Sequence, residues 1–310
     1  MTCFPNSILS SLEHSIPLAL RALEPVSSST MVTLTSLLHL CVVALATAKP
    51  LPAERLQARE LLRPLVSSAT DDQEKWCPAL DYDTDSCYNT VAISRDGPLN
   101  YGYDPNLGDA WILSYCRNEN RLVQTNIYVR SKCNNGWCAH MYDYYFESDF
   151  AKIGSGHRHD WEHIAVWVKN GELKFVSVSA HGEWVINEKS SGLIRFEQGT
   201  HAKVVYHKDG GGTHAFRFAF QDGANDNVAE NHWKSWRWGK GAGLVQWPHI
   251  SEYFRKQLSI HNWGSASMAV RDDPDGGTWN FGNYLDGSRR ACYNELDCPG
   301  NLAPEFNPWG

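Results

Sequence analysis

The chain has 310 residues and a formal net charge of −7, a balance that argues against a nucleic-acid partner, which would want a basic face. Its length admits one large or two small domains, and a single β-sandwich of roughly 200 residues fits. Thirteen Trp and thirteen Tyr are more than a helical protein usually carries and suit an all-β core or a surface that meets sugars or a membrane interface.

Residues 1–30 carry no usable periodicity and stand as an N-terminal extension of uncertain role. From Met31 the chain turns apolar. The run from Leu37 to Leu45 followed by Ala46-Thr47-Ala48 has the apolar region and small-residue cleavage site of a secretory signal peptide, without the basic start. Residues 31–48 are therefore read as a signal peptide, giving a secreted protein whose mature N-terminus lies near Lys49. No other stretch approaches the roughly 18 to 20 apolar residues of a membrane-spanning helix. Residues 49–75, with a helical run from Ala53 to Leu62 stopped at Pro64, read as a pro-segment or linker, and residues 76–310 as the folded domain.

Within that domain, strand-like runs recur between Gly, Asn and Asp clusters: Ile127 to Arg130, Met141 to Phe146, Trp161 to Val168, Leu173 to Ala180, Lys203 to His207 and His214 to Phe220. This spacing predicts a mainly β, single-domain β-sandwich with a few short helices, one of them over 250–258. The tail after Asp286 reads as irregular and tied by cysteines. Cys3 and Cys41 fall in the leader, leaving Cys77, Cys87, Cys116, Cys133, Cys138, Cys292 and Cys298. In an oxidising compartment these are disulfide cysteines, with Cys292 and Cys298 close enough in sequence to close a small loop. Their spacings do not match a tetrahedral zinc site.

The densest chemistry is the run Gly156-His157-Arg158-His159-Asp160-Trp161-Glu162-His163, with six ionisable side chains in eight residues. Buried unpaired charge is costly, so such a run is solvated, cross-paired or neutralised by a cation. Along a strand, Asp160 and Glu162 leave one face while Trp161 and His163 leave the other. His157 has the wrong parity to join the carboxylates along an unbroken strand and must reach them from a loop flanked by Gly154 and Gly156. His159 points away from them and reads as a supporting group. A junction carrying His, Asp and Glu suits a divalent ion with mixed oxygen and nitrogen ligands; the other reading is a surface ion-pair strip.

Two further constellations carry chemistry. Asp81, Asp83 and Asp85 alternate along Asp81-Tyr82-Asp83-Thr84-Asp85 and can supply a calcium loop, although the turn Gly and terminal Glu of an EF-hand are missing; the alternative is a solvated acidic turn. The segment Asn231 to Lys240 interleaves Trp233, Trp236 and Trp238 with Lys and Arg, a composition that suits contact with sugars or lipid headgroups. With Trp247, at least two of these four indoles are expected to be exposed. A metal-dependent hydrolase is the enzymatic alternative, because His157-Arg158-His159-Asp160 echoes half of a binuclear zinc motif, but Glu162 and Trp161 stand where that motif wants another His. No Ser or Cys nucleophile sits in a Gly elbow, and the protein is read as a non-enzyme.

Gly-His-Arg-His-Asp-Trp-Glu at 156–162 resembles, letter for letter, the heptapeptide of the necrosis- and ethylene-inducing peptide-like (NLP) proteins, secreted microbial cytolysins and elicitors of plant defence. The blocks Ala139 to Phe146, Ser179-Ala180-His181-Gly182, Val204 to Gly210, Thr213 to Arg217 and Trp263-Gly264-Ser265-Ala266 resemble the family too, so the likeness runs over about residues 76 to 285. What the resemblance implies is a β-sandwich related to actinoporins and fungal lectins, with Mg2+ or Ca2+ held by Asp149, His157, Asp160 and Glu162, Asp149 standing on a Ser148-Asp149 turn and His214 near the pocket. It implies a Cys87–Cys116 disulfide, a Cys133–Cys138 disulfide of the cysteine-richer subgroup, a second calcium site in that subgroup, and Cys77 as the thiol left over. The implied partner is the glycan head of plant glycosyl inositol phosphorylceramides, met by a peripheral, monomeric protein that then perturbs the plasma membrane. Two departures matter. Tyr142-Asp143-Tyr144-Tyr145 differs from the Tyr-Ser-Trp-Tyr of typical toxic members, and the Trp-rich segment departs from the usual family text, so a non-cytolytic binding or developmental member is the second reading.

Overall fold

The computed structural model describes residues 61–150, 156–209, 212–239, 241, 243–272, 280–290 and 300–309. Its strands in chain order are β1 (Ala79–Tyr82), β2 (Ile127–Asn134), β3 (Trp137–Asp149), β4 (His157–Lys169), β5 (Glu172–Ala180), β6 (Glu183–Glu188), β7 (Phe196–Glu197), β8 (His201–Lys208), β9 (His214–Phe218) and β10 (Leu244–Gln246). Four helices accompany them: α1 (Asp71–Lys75), α2 (Asp109–Cys116), α3 (Glu252–Ile260) and α4 (Phe281–Ser288).

Turn chemistry explains the main sheet. Asn135-Gly136, Asn170-Gly171 and His181-Gly182 all take positive φ, which is what a two-residue hairpin turn of the favoured hand requires. These turns join β2 to β3, β4 to β5 and β5 to β6. The result is a six-stranded sheet in the order β10-β2-β3-β4-β5-β6, with β10 the parallel member. A smaller sheet is built on β8, paired in parallel with β1 and antiparallel with β7 and β9.

Alternation along the central strands fills two cores. Tyr142, Tyr144, Phe146, Ile164, Val166 and Val168 face the smaller sheet and pack with Val204, Tyr206, Phe216 and Phe218. The opposite residues Met141, Tyr145, Trp161, Ala165 and Trp167 join Trp247, Leu258, Trp263, Leu285 and Phe306, so α3, α4 and the C-terminal loops form a third layer. Each such side chain contributes on the order of 1.5–3 kcal/mol when fully buried, and β3 and β4 collect that contribution on both faces.

The mainly β sandwich with a few short helices is the architecture the sequence predicts, and the elements differ in their ends. The strands expected over 127–130, 141–146 and 161–168 run on to Asn134, Asp149 and Lys169. The helix expected over 250–258 lies at Glu252–Ile260, started by the Ser251 hydroxyl accepting from Phe254 N. Residues 65–75, placed in the linker by sequence, are tied to the domain: Ser68 N donates to Leu244 O at 3.0 Å, Leu65 N to Asn126 Oδ1 at 2.9 Å, and Gln73 is buried with its amide on Ser131. Disulfides join Cys87 to Cys116 and Cys133 to Cys138. Cys77 is a buried thiol, pushed up to about 12 by burial. The signal-peptide segment, Cys292 and Cys298 lie outside the described residues.

Candidate metal centre and ligand cavity

The site forms where β3 ends and β4 begins. Gly156 must be glycine: its φ is +94°, and a Cβ there would collide with the Asp149 carbonyl and lie 2.8 Å from Phe150 Cα. This close approach goes with Asp149 standing opposite His157 in register. His159 then takes φ +64°, a left-handed residue inside a strand. Ahead of it, toward Gly156, the alternation no longer separates odd from even positions, and His157 comes to the same place as Asp160.

Among the described residues, Asp149, His157 and Asp160 are the group whose ligand atoms gather as a metal would need, all within 4.8 Å of one another. His157 thus belongs to β4 and Asp149 closes β3, where a loop and a turn were expected. Each of the three side chains is held from behind. The His157 Nδ1–H donates to the His159 carbonyl at 2.7 Å, leaving Nε2 beside Asp149 Oδ2 at 3.5 Å; a metal-binding imidazole is normally oriented in this way. Asp149 Oδ1 accepts from the backbone N and the ring Nδ1 of His214, at 2.8 and 2.9 Å, and Asp160 Oδ2 accepts from Tyr206 OH at 2.8 Å.

Electrostatics agree with that donor set. Burial, and then the Asp149 carboxylate, push Asp160 up to about 6; burial, and then Asp160, hold Glu162 well above the usual carboxylate range. Such a crowd of buried carboxyls is relieved by further positive charge, which a divalent cation supplies. Two carboxylates and an imidazole fit Mg2+ or Ca2+ with water completing the shell. Glu162 sits one step further along the same face, its carboxylate bonded to the Ser179 hydroxyl, and it lines the cavity without joining the tight group of three.

That cavity, of about 650 Å³, is lined by the cation group and by Trp184, His261, Trp263, Arg271 and Tyr284 among others. It opens where β4 and β5 part: their pairing begins at Ile164 and Val178, and ahead of it His163 N donates to Ser179 Oγ instead. The sequence blocks around Ser179, Thr213 and Trp263 all converge here. Tyr206 and Ser179, which hold the carboxylates, were not singled out by sequence, although their presence in those blocks was the available signal.

The remaining predicted residues lie elsewhere. His159 is buried behind the site, its Nδ1 2.6 Å from Tyr145 OH and its ring edge-on to Trp263; burial and the neighbouring His261 lower it to about 3. Asp81, Asp83 and Asp85 do not converge. Asp81 is buried and accepts from Glu230 N and from Asn231, Asp83 faces Arg217 at 3.5 Å, and Asp85 offers its backbone carbonyl to His214 Nε2 at 3.1 Å. Asp81 is thus engaged in anchoring the backbone at Glu230 and Asn231.

The Trp-rich segment also departs from expectation. Trp233 is 39% exposed, but Trp236 and Trp247 are 9% and 0% exposed and Trp238 is half-buried. Trp236 packs with Ala79, Val205 and Ala219 on the outer face of the smaller sheet under the Lys203 ammonium, and Trp238 lies against His201. The His201 and Lys203 contacts are at the start of β8, whereas the cation group meets Tyr206, whose ring faces the other side of the strand from Val205. Apart from Trp233, whose ring carries the Arg237 guanidinium at 4.3 Å, and Trp247, which lies in the second core, the indoles pack on an outer core over β8. Lys240 lies outside the described residues.

The family model described as necrosis inducing protein (NPP1) matches residues 70–283. NLP effector protein 10 of Phytophthora capsici is 29% identical over 194 residues, 61% of this chain and 73% of that protein. The chain spans only 40–42% of the length of three other NLP effector proteins of that organism. Among solved structures, NLPPya in complex with glucosamine superposes with a TM-score of 0.57 at 22% identity, covering 74% of this chain and 97% of that one. The non-toxic HaNLP3 protein does so with a TM-score of 0.56 at 21% identity, over 73% and 96%. No helix among the described residues is long and apolar enough to cross a membrane.

Proposed function

The chain belongs to the necrosis-inducing protein (NPP1) family, and from that premise we propose that it is a secreted, non-enzymatic protein that uses a divalent cation to bind the glycan head of plant glycosyl inositol phosphorylceramides and then perturbs the plasma membrane as a peripheral monomer. The observation that carries the reading is the Asp149, His157 and Asp160 group set into the wall of an aromatic cavity. When bound, the ion offers a positive centre to which sugar hydroxyls or their bridging waters can bind. Asp149, Asp160 and His157 would hold it, the carbonyl of His159 fixing the His157 tautomer, with the Glu162 carboxylate beside them in the cavity wall. Trp184, Trp263 and Tyr284 supply apolar walls of the kind that pack against a ligand's carbon skeleton.

The test is infiltration of the purified mature chain into leaves of broad-leaved and grass plants beside Asp160→Ala, with dye release from vesicles containing the plant sphingolipid measured in parallel. Necrosis and cation-dependent release by the parent chain, lost in the variant, are expected; activity surviving EDTA and Asp160→Ala would overturn the reading. Binding without release would favour the second reading, a non-cytolytic member, which the Asp143 departure motivates. Turnover of esters, glycosides or phosphodiesters by the metal-loaded chain would instead revive a hydrolase. Secretion predicts a mature N-terminus near Lys49 in culture fluid, and a Cys292–Cys298 disulfide is read for the tail; peptide mass spectrometry checks both.

A further inference from the structure

On the outer face of the main sheet the side chains around position 163 are apolar: Met141, Tyr145, Trp161 and Ala165 all belong to the second core. Into that face the sequence sets a polar pair, Asp143 and His163. Asp143 is fully buried and His163 is 6% exposed. The His163 Nδ1 lies 2.9 Å from Asp143 Oδ1, and Asp143 Oδ2 accepts from Val270 N at 3.0 Å. The carboxylate is thereby fixed through both oxygens. Since it can only accept, Nδ1 carries the proton given to it, and Nε2 is the nitrogen left for a ligand.

His163 also lines the cavity, together with Trp184, Tyr284 and Ser267. The Tyr284 ring stands edge-on to the imidazole at 4.9 Å and Trp184 lies at 6.2 Å. Replacing a buried polar pair by apolar residues of like volume is often neutral or stabilising, so packing alone gives little reason for this one. Opening onto a cavity gives it another role. A sugar hydroxyl both donates and accepts, and so bonds Nε2 whichever role that nitrogen takes.

Resting on the glycan reading above, we propose that His163, Trp184 and Tyr284 form a second carbohydrate subsite, with Asp143 as the positioning residue. The cation group lies on the face of β4 that carries Asp160, and this subsite lies on the other, so the cavity wraps around the free edge of the strand and has two polar poles. Its volume of about 650 Å³ falls within the roughly 300–1,000 Å³ that enclose drug-sized ligands, more than one hexose ring fills. The ligand class is therefore an oligosaccharide of at least two sugars, one read at the cation and the next between the Trp184 and Tyr284 rings.

The experiment uses the whole mature chain with Ca2+ and phosphatidylcholine vesicles carrying glycosyl inositol phosphorylceramide with two sugars on the inositol, or the same lipid trimmed to one. The parent chain is expected to prefer the two-sugar lipid by about tenfold, the scale of one hydrogen bond. His163→Asn, whose amide nitrogen stands where Nδ1 does and can still donate to Asp143 but which has no atom at the Nε2 position, should erase that preference while Ca2+ affinity and one-sugar binding stay unchanged. Equal binding of both lipids by the parent chain, or a preference that His163→Asn retains, would overturn the subsite alone. Binding of neither lipid would overturn the glycan reading with it. If His163→Asn melts early, Trp184→Leu is read on the ratio of two-sugar to one-sugar binding alone, and a retained preference there counts equally against the subsite.

Discussion

Asp160 concentrates the chemistry of the site in one side chain. It is buried, sits beside a second carboxylate and is pushed up to about 6, so a cation that relieves this crowding should bind the folded chain and stabilise it by mass action. Asp160→Asn is expected to weaken Ca2+ or Mg2+ binding at least tenfold, read by titration calorimetry, and to abolish the rise in melting temperature that the ion gives the parent chain. Glu162→Gln, removing a carboxylate outside the tight group of three, should weaken binding less. Unchanged affinity in Asp149, Asp160 and Glu162 variants alike would remove the site. His159 gives a different signature. Its folded value near 3 lies below the ordinary 6.5, so its stabilising share is fully present above pH 6.5 and is lost as pH falls toward 3, where the unfolded chain takes up the proton first. His159→Asn, a residue that tolerates positive φ, should flatten that part of the slope in denaturant titrations at pH 7, 5 and 4.

At the scale of elements, the Trp-rich segment separates burial from composition. Trp236→Ala should cost about 3–5 kcal/mol, as large aromatic deletions in cores do, whereas Trp233→Ala should change stability by about 0.5 kcal/mol or less; urea melts of the two variants decide it. Similar small losses in both would return Trp236 to the surface. Interleaved Trp, Lys and Arg looked interfacial because alternation reports amphipathic chemistry without saying which sheet face lies underneath. The same limit governs what else was legible. β-branched and aromatic runs announced the middles of β3 and β4, but their ends, Glu147-Ser148-Asp149 and His157-Arg158-His159, are polar and read as loops. The helix α2, Asp109-Ala110-Trp111-Ile112-Leu113-Ser114-Tyr115-Cys116, is apolar on all sides and starts after a glycine with no capping side chain, so neither periodicity nor a cap announced it. β10 has three residues, too few for any pattern. The candidate ligands were readable from their chemistry and the family likeness, and the left-handed His159 that brings His157 to Asp160 was not, because a parity argument assumes an unbroken strand.

For the whole molecule, the two disulfides differ in what they restrain. Cys87 and Cys116 are 29 residues apart and Cys133 and Cys138 only five, so by loop-closure entropy they should contribute about 3.5 and about 2 kcal/mol respectively. Paired Ser substitutions compared in guanidinium melts should show the larger loss for Cys87 and Cys116, and the reverse order would point to native-state strain or residual denatured structure. The six-stranded sheet has a further consequence. Because β3 and β4 are covered on both faces, their central amides, around Tyr142, Tyr144, Ile164 and Val166, have no route to solvent short of global opening, so in deuterium exchange they should report the stability of the entire domain. The ligand cavity hangs from the ends of these same two strands. Occupancy of the cation group should therefore slow deuterium uptake in the middle of the sheet, remote from the ion, by the same factor as it slows global unfolding, whereas uptake in the Trp233 turn should stay as it was.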